Sequence, residues 1–254
     1  MLEFMGLFVL AFVLEFVDNG LGGGFGTILA PVLVIVGFDA KAVVPAILIS
    51  ETVSGLWGGS WHLRYHNVNV KVVALTLVGS LVGMALGSYL IGELLPSQAV
   101  KQYISVMAMG MGVFVIVRSY LQQKIKPHHN RPWLFSLLGM LIGFNKSGSG
   151  GNYGPISVTG YMLLGLPAAV AIGTTTVAEG VACLLGVGLY VQFAGILLSL
   201  AVPITVGSFV ADPVSAFLNE RLKARLSVHS HGRLVGVVML FVGFIALLKA
   251  LGVI

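Results

Sequence analysis

Leu21-Gly22-Gly23-Gly24-Phe25-Gly26 decides how this chain is read, because its pattern occurs twice. Gly150-Gly151-Asn152-Tyr153-Gly154 stands 128 positions after Gly22-Gly23-Gly24-Phe25-Gly26, and Glu179 stands 128 positions after Glu51. At that offset Ile28 pairs with Ile156, Gly37 with Gly165, Ala40 with Ala168, Val53 with Val181, Leu56 with Leu184 and Gly58 with Gly186. Further on, Val78-Gly79-Ser80 returns as Val206-Gly207-Ser208. One register held without gaps over that length is an internal duplication. Each half carries a glycine-interrupted apolar stretch and one carboxylate inside a later apolar span.

Of the 254 residues only 9% are charged and 57% are hydrophobic, and the mean hydropathy is +1.00. A soluble domain carries about 25% charged residues, so this chain cannot cover a water-facing surface. Its long apolar runs fit spanning helices rather than the short alternating strands of a barrel. The fold expected is an all-α polytopic membrane protein. The single cysteine, Cys183, excludes a disulfide framework and a cysteine-built metal site; it reads as a small apolar filler. His62, His66, His128, His129, His229 and His231 fall in or beside loops and read as solvated side chains, so no metal site is expected. The net charge of +5 sits in loops, where it sets orientation rather than binding nucleic acid. The first residues carry Glu3 and no Lys or Arg, so no secretory signal is expected and the first helix is retained.

A spanning helix needs about 20 apolar residues. The expected order is a short helix over 2–19, a break, a half-helix over 27–37 and spans at 40–63, 71–92 and 98–120. The second half repeats it: a helix over 133–147, a break over 148–154, a half-helix over 155–165, and spans at 167–191, 196–218 and 232–251. The repeats are thus residues 1–120 and 133–254, joined by a polar loop at 121–132. Gly79, Gly83 and Gly87 are matched by Gly207, Ala211 and Ser215, small-residue ladders that let helix backbones approach closely in lipid.

Lys and Arg concentrate in 64–71, in 118–131 and in 221–233, and are absent from the turns near 93–97 and 192–195. The positive-inside rule makes the basic loops cytoplasmic. Trp61, Tyr65, Tyr120 and Trp133 flank them as an interfacial belt would. Both termini then lie outside, each half crosses an odd number of times, and the repeats are inverted in a plasma-membrane protein. Whether 2–37 and 133–165 cross or re-enter does not alter that parity.

Inverted repeats with interrupted helices suit secondary transporters, whose site lies where the broken ends meet. Backbone groups freed by a break are tolerable in lipid only where they line a cavity or bind something. Helices restarting at Thr27 and Pro155 would aim positive dipole ends at an anion, and Pro155 suits a first turn. Gly22, Gly23, Gly24, Phe25, Gly26, Gly150, Gly151, Asn152, Tyr153 and Gly154 are therefore candidate substrate contacts; tight turns and close packing are the alternative role for them. Lys146, beside Asn145 and Ser147, is a candidate cationic contact, unless it snorkels or pairs with Asp18, Glu15 or Asp212. Glu51 and Glu179 lie deep in their spans, where an ionisable group is costly unless paired or protonated. They are candidate proton-coupling groups, or scaffold groups bonding a broken helix. Asp212, before Pro213, is a weaker gating candidate.

The Gly-Gly-Gly-Phe-Gly run at 22–26, Pro31, the Gly-Gly-Asn-Tyr-Gly run at 150–154 and Ala171-Ile172-Gly173-Thr174-Thr175 resemble the TauE/SafE sulfite exporters over nearly the whole chain. That resemblance implies a permease moving small sulfur-containing anions such as sulfite or organosulfonates, usually outward. Its partners would be that anion, the lipid bilayer and protons as coupling ion, with no cofactor; a homo-oligomer is compatible with it. A cation or proton antiporter using Glu51 and Glu179 is the alternative within transport. An intramembrane serine protease, prompted by Ser147-Gly148-Ser149-Gly150, would need a histidine base at membrane depth, and every histidine here sits by a loop. The chain is therefore read as a transporter, not an enzyme.

Overall fold

The computed structural model describes residues 2–21, 24–121, 131–193, 195–222 and 228–254, and the backbone alone at 19–21, 121, 193, 216–222 and 228–232. Gly22, Gly23 and most of the loop at 121–132, with Lys124, Lys126, His128 and His129, lie outside the described residues.

Within them the chain is helical, with no strand. The first half holds α1 (Leu2–Leu21), α2 (Phe25–Val36), α3 (Ala40–Arg64), α4 (Val70–Gly87) with a π-helical continuation (Ser88–Leu94), and α5 (Ser97–Leu121). The second half holds α6 (Pro132–Ser149), α7 (Tyr153–Leu163), α8 (Ala168–Phe193), α9 (Leu198–Leu222) and α10 (Val228–Ala250). Among the described residues six helical stretches are long and apolar enough to cross a membrane: Ala40–Arg64, Val70–Leu94, Ser97–Tyr120, Ala168–Gln192, Leu198–Ser215 and Arg233–Ala250. Their outer faces carry exposed Leu, Val and Phe side chains, which only a lipid environment suits. The chain is an all-α polytopic membrane protein.

The duplication is written into the element edges. α1 and α6 end at Leu21 and Ser149, α2 and α7 start at Phe25 and Tyr153, α3 and α8 at Ala40 and Ala168, and α4 and α9 at Val70 and Leu198, each pair at the sequence offset. The ends of α2 and α7 are closed alike: Phe38 N donates to Leu33 O at 3.0 Å, and Leu166 N to Tyr161 O at 2.9 Å. Both are Schellman caps, in which the amide beyond a left-handed residue satisfies a carbonyl one turn back.

The breaks are shorter than the sequence suggests. The helices resume at Phe25 and Tyr153, two residues before Thr27 and Pro155, and α6 runs to Ser149 rather than 147. The reason is local. Gly150 takes a left-handed conformation (φ +73°), ending α6 while its amide still reaches Lys146 O at 2.8 Å. Gly24 (φ +153°) and Asn152 (φ +73°) then turn the chain directly into the next helix. Glycine adopts such φ values without penalty, and asparagine is the side chain that tolerates them best. Pro155 becomes the third residue of α7, still inside the turn whose amides have no intrahelical partner.

Helix packing follows the small residues. α4 lies along α6, with Gly79, Gly83 and Gly87 against the carbonyls of Ser136, Met140 and Phe144. α1 lies along α9 in the corresponding way, Gly207 against the Phe8 carbonyl, and Phe8 is the counterpart of Ser136. α3 crosses α8 where a methyl added at Gly55 would come within 2.7 Å of Gly180 Cα. These contacts draw α1, α3, α8 and α9 around one interior space.

Candidate functional site

The two helix breaks touch. A methyl placed on Gly151 would stand 2.6 Å from Thr27 N, and one on Gly26 would strike the Gly150 carbonyl. Thr27 Oγ1 donates to Asn152 Oδ1 at 2.9 Å and accepts from Asn152 N at 3.0 Å. Asn152 Nδ2 also donates to Ser149 Oγ at 3.2 Å, and Ser149 Oγ to Asn145 O at 2.8 Å. The amide of Gly151 reaches Ser149 Oγ at 3.3 Å. The backbone donors freed at residues 150–152 are thus occupied within the protein, as an apolar surrounding demands. At the first break the Asp18 carboxylate lies near the Phe25 amide, a negative group by the positive end of α2.

Beside this contact lies a buried charge cluster. Lys146, in the last turn of α6, is 0% exposed. Its ammonium forms ion pairs with Glu51 Oε2 of α3 and, at 2.8 Å, with Glu179 Oε1 of α8. Cys183 Sγ, one turn after Glu179, stands 3.8 Å from Glu51 Oε2. A buried ammonium is costly alone; two carboxylates from different helices offset that cost. Lys146 therefore pairs with Glu51 and Glu179 rather than with Asp18, Glu15 or Asp212.

A cavity of about 160 Å³ opens beside the cluster, well above the roughly 10–15 Å³ that one water needs. Glu15 and Asp18 of α1, Glu51 of α3, Glu179 of α8 and Asp212 of α9 all line it. Gly154 contributes from the first turn of α7, and His62 lines it from the last turn of α3. Among the described lining residues, five carboxyls face a space whose nearest cation is Lys146. At an effective dielectric near 20, like charges 4 Å apart repel by about 4 kcal/mol. Ionised carboxylates on this wall therefore repel one another and any anion brought beside them.

Of the residues singled out in the sequence, Glu51, Glu179, Asp212 and Gly154 line the cavity, and Lys146 is tied to its wall. Gly24, Phe25, Gly26, Gly150, Gly151, Asn152 and Tyr153 are buried at or beside the contact between the breaks. The Tyr153 ring is fully buried, its hydroxyl 3.2 Å from Ser80 Oγ of α4. Gly22 and Gly23 lie outside the described residues. The sequence reading gave no site role to Glu15, Asp18 or Thr175, and treated His62 as a loop residue. A signal for Glu15 was present: Leu7, Ala11 and Glu15 form a buried stripe at four-residue spacing.

The family profile described as "Sulfite exporter TauE/SafE" matches residues 7–246. The chain is similar to the "Probable membrane transporter protein YtnM" of Bacillus subtilis, 27% identical, over 96% of this chain and 81% of that protein. It is also similar to the "Probable membrane transporter protein YjnA" of the same organism, 25% identical, over 87% of this chain and 90% of that one. No solved structure matches significantly. A profile match over nearly the whole length, on a helical membrane fold with a carboxyl-lined cavity, places the chain among membrane transporters rather than enzymes: it belongs to the TauE/SafE sulfite exporter family.

Proposed function

We propose that the chain is a secondary transporter for a small sulfur oxyanion, sulfite or an organosulfonate, working by alternating access between its two broken helices. The observation that carries this is Lys146, a buried ammonium held by Glu51 and Glu179 at the wall of a cavity. Protonation of either glutamate weakens its hold on Lys146. The ammonium then meets an oxyanion that also takes hydrogen bonds at the start of α7, where Gly154 faces the space. Residues 24–26 and 150–153 shape and close the site. Glu51 and Glu179 gate the site by releasing Lys146 when protonated, and Asp212 lines the same cavity from α9.

The two repeats, 1–120 and 133–254, are inverted about the loop at 121–132. Both termini lie outside the plasma membrane and the basic loops lie in the cytoplasm. The cavity extends from the glutamates to His62, next to the basic segment at 64–71. On that orientation it reaches toward the cytoplasm, and the conformation described is the inward-facing one.

Purified protein in liposomes tests this. Labelled sulfite should enter down an imposed gradient, and Lys146→Met should abolish the flux without loss of the folded protein. The excess of carboxyls favours one other reading, a cation or proton antiporter. Flux that follows sodium and is indifferent to every anion supplied would establish that instead.

A further inference from the structure

Glu15 and Asp212 play no part in holding Lys146, yet both line the same cavity and both are buried. The packing of α1 along α9 puts both carboxyls on one wall of that cavity. Two buried carboxylates sharing one wall repel each other, which favours a proton on at least one of them.

The groups facing the pair come from every side of the cavity. Asp18 adds a third carboxyl from α1, Glu51 and His62 stand on α3, and Glu179 stands on α8 with Lys146 bonded behind it. Neither α2 nor α10 contributes a titratable side chain to that wall among the described residues.

A separate observation points to an occupant. Thr175 lines this cavity from α8 and is 4% exposed, and its Oγ1 has no hydrogen-bond partner among the described residues. An orphaned buried hydroxyl is costly unless something fills the space before it. Thr175 thus supplies a donor for an incoming oxyanion, in a cavity that five carboxyls also line.

We infer that Glu15 and Asp212 form a proton site in the anion cavity, separate from the Lys146 cluster, and that its proton travels with the anion. The inference rests on the transport function proposed above. Charge dictates the coupling: an anion beside two ionised carboxylates is repelled, and one beside a protonated pair is not. Loading is then mutual, each ligand raising the affinity for the other by the same factor. Cotransport follows, and the two gradients set its direction.

Two measurements on the purified full chain test this. The first is the pH-difference infrared spectrum without substrate. A protonated-carboxyl band should be present in the unaltered protein, lost in Glu15→Gln and in Asp212→Asn, and kept in Glu3→Gln. A band unchanged in both variants overturns the proton site.

The second is sulfite-driven proton movement in liposomes, followed with an internal pH dye, beside exchange of labelled for unlabelled sulfite. The variants should lose at least tenfold of the proton movement per sulfite exchanged. Proton movement retained in both variants overturns the coupling. A protein that moves no sulfite but shows the titrating band sinks the proposed substrate and leaves the proton site standing. Thermal unfolding in detergent separates these results from misfolding, and Glu15→Asp should restore part of the proton movement.

Discussion

Thr27 and Asn152 clasp the two helix breaks together, the threonine hydroxyl giving a hydrogen bond to the asparagine carbonyl and taking one from its amide. The pair is not symmetric. Asn152 is the counterpart of Gly24, so the second half keeps a side chain at the left-handed position where the first half has none. That side chain reaches across to the other break. It explains how two interrupted helices can be packed backbone to backbone without leaving amides orphaned in lipid.

Thr27→Val should therefore destabilise the protein by about 1–3 kcal/mol, because it leaves the buried Asn152 amide and carbonyl unpaired. Thr27→Ser keeps both bonds and should cost far less. Thermal unfolding in detergent measures the difference; equal melting temperatures for the two variants would contradict the clasp.

Gly79 and Gly207 make a matched pair of tests. A methyl at Gly79 would strike the Ser136 carbonyl, and one at Gly207 would come within 2.5 Å of the Phe8 carbonyl. Alanine at either site should push α4 from α6 or α1 from α9 and lower the melting temperature. Gly110 and Gly188 have nothing within 4 Å of the added carbon. Alanine there should be neutral or mildly stabilising, since a helical Gly is worth roughly 0.5–1 kcal/mol less than Ala. No difference between the two classes would mean that the ladders are not packing seams.

The Lys146 cluster predicts non-additive behaviour. Removing one partner of a buried ion pair costs about 3–5 kcal/mol by leaving a charge uncompensated. Glu51→Gln leaves Lys146 with Glu179 alone, so it should destabilise and flatten the pH profile of transport. Glu51→Gln combined with Lys146→Met should regain stability and remain inactive. A double variant as unstable as the sum of the singles would rule out direct coupling.

Much of this was legible in the chain itself. The offset that aligns Glu51 with Glu179 also aligns the starts and ends of most helices, because the signals for a break, a cap or a restart were copied with the segment. The charge cluster was less legible. Which carboxylates meet Lys146 depends on how α3, α6 and α8 pack, and one-helix periodicity says nothing about the facing helix. Glu15 was readable in retrospect: its counterpart is Gly143, buried against Ser80 in the α4–α6 contact, so Glu15 had to face α9. His62 misled by position. It is near a loop in sequence but on the helix face turned to the cavity.

Cys183 offers a probe of the conformational cycle. It is fully buried beside Glu51, so a charged thiol reagent should leave it unlabelled in the resting state. If the cavity changes sides during transport, sulfite with a pH gradient should change the rate of labelling. A rate insensitive to both would mean that α3 and α8 keep their contact throughout.

The inversion of the repeats can be tested with two substitutions in a Cys183→Ser background. Tyr65, 66% exposed, begins the segment between α3 and α4, and Leu197, 44% exposed, ends the segment between α8 and α9. The duplication makes these segments equivalent. Parallel repeats would put them on the same side of the membrane, and inverted repeats on opposite sides. The charges favour opposition, since Arg64 and Lys71 flank the first segment and no Lys or Arg adjoins the second. Tyr65→Cys should react with an impermeant maleimide only when the cytoplasmic face is exposed, and Leu197→Cys in intact cells. Labelling of both from one side would refute the inversion, and with it the placing of α2 and α7 as opposed half-helices around one anion.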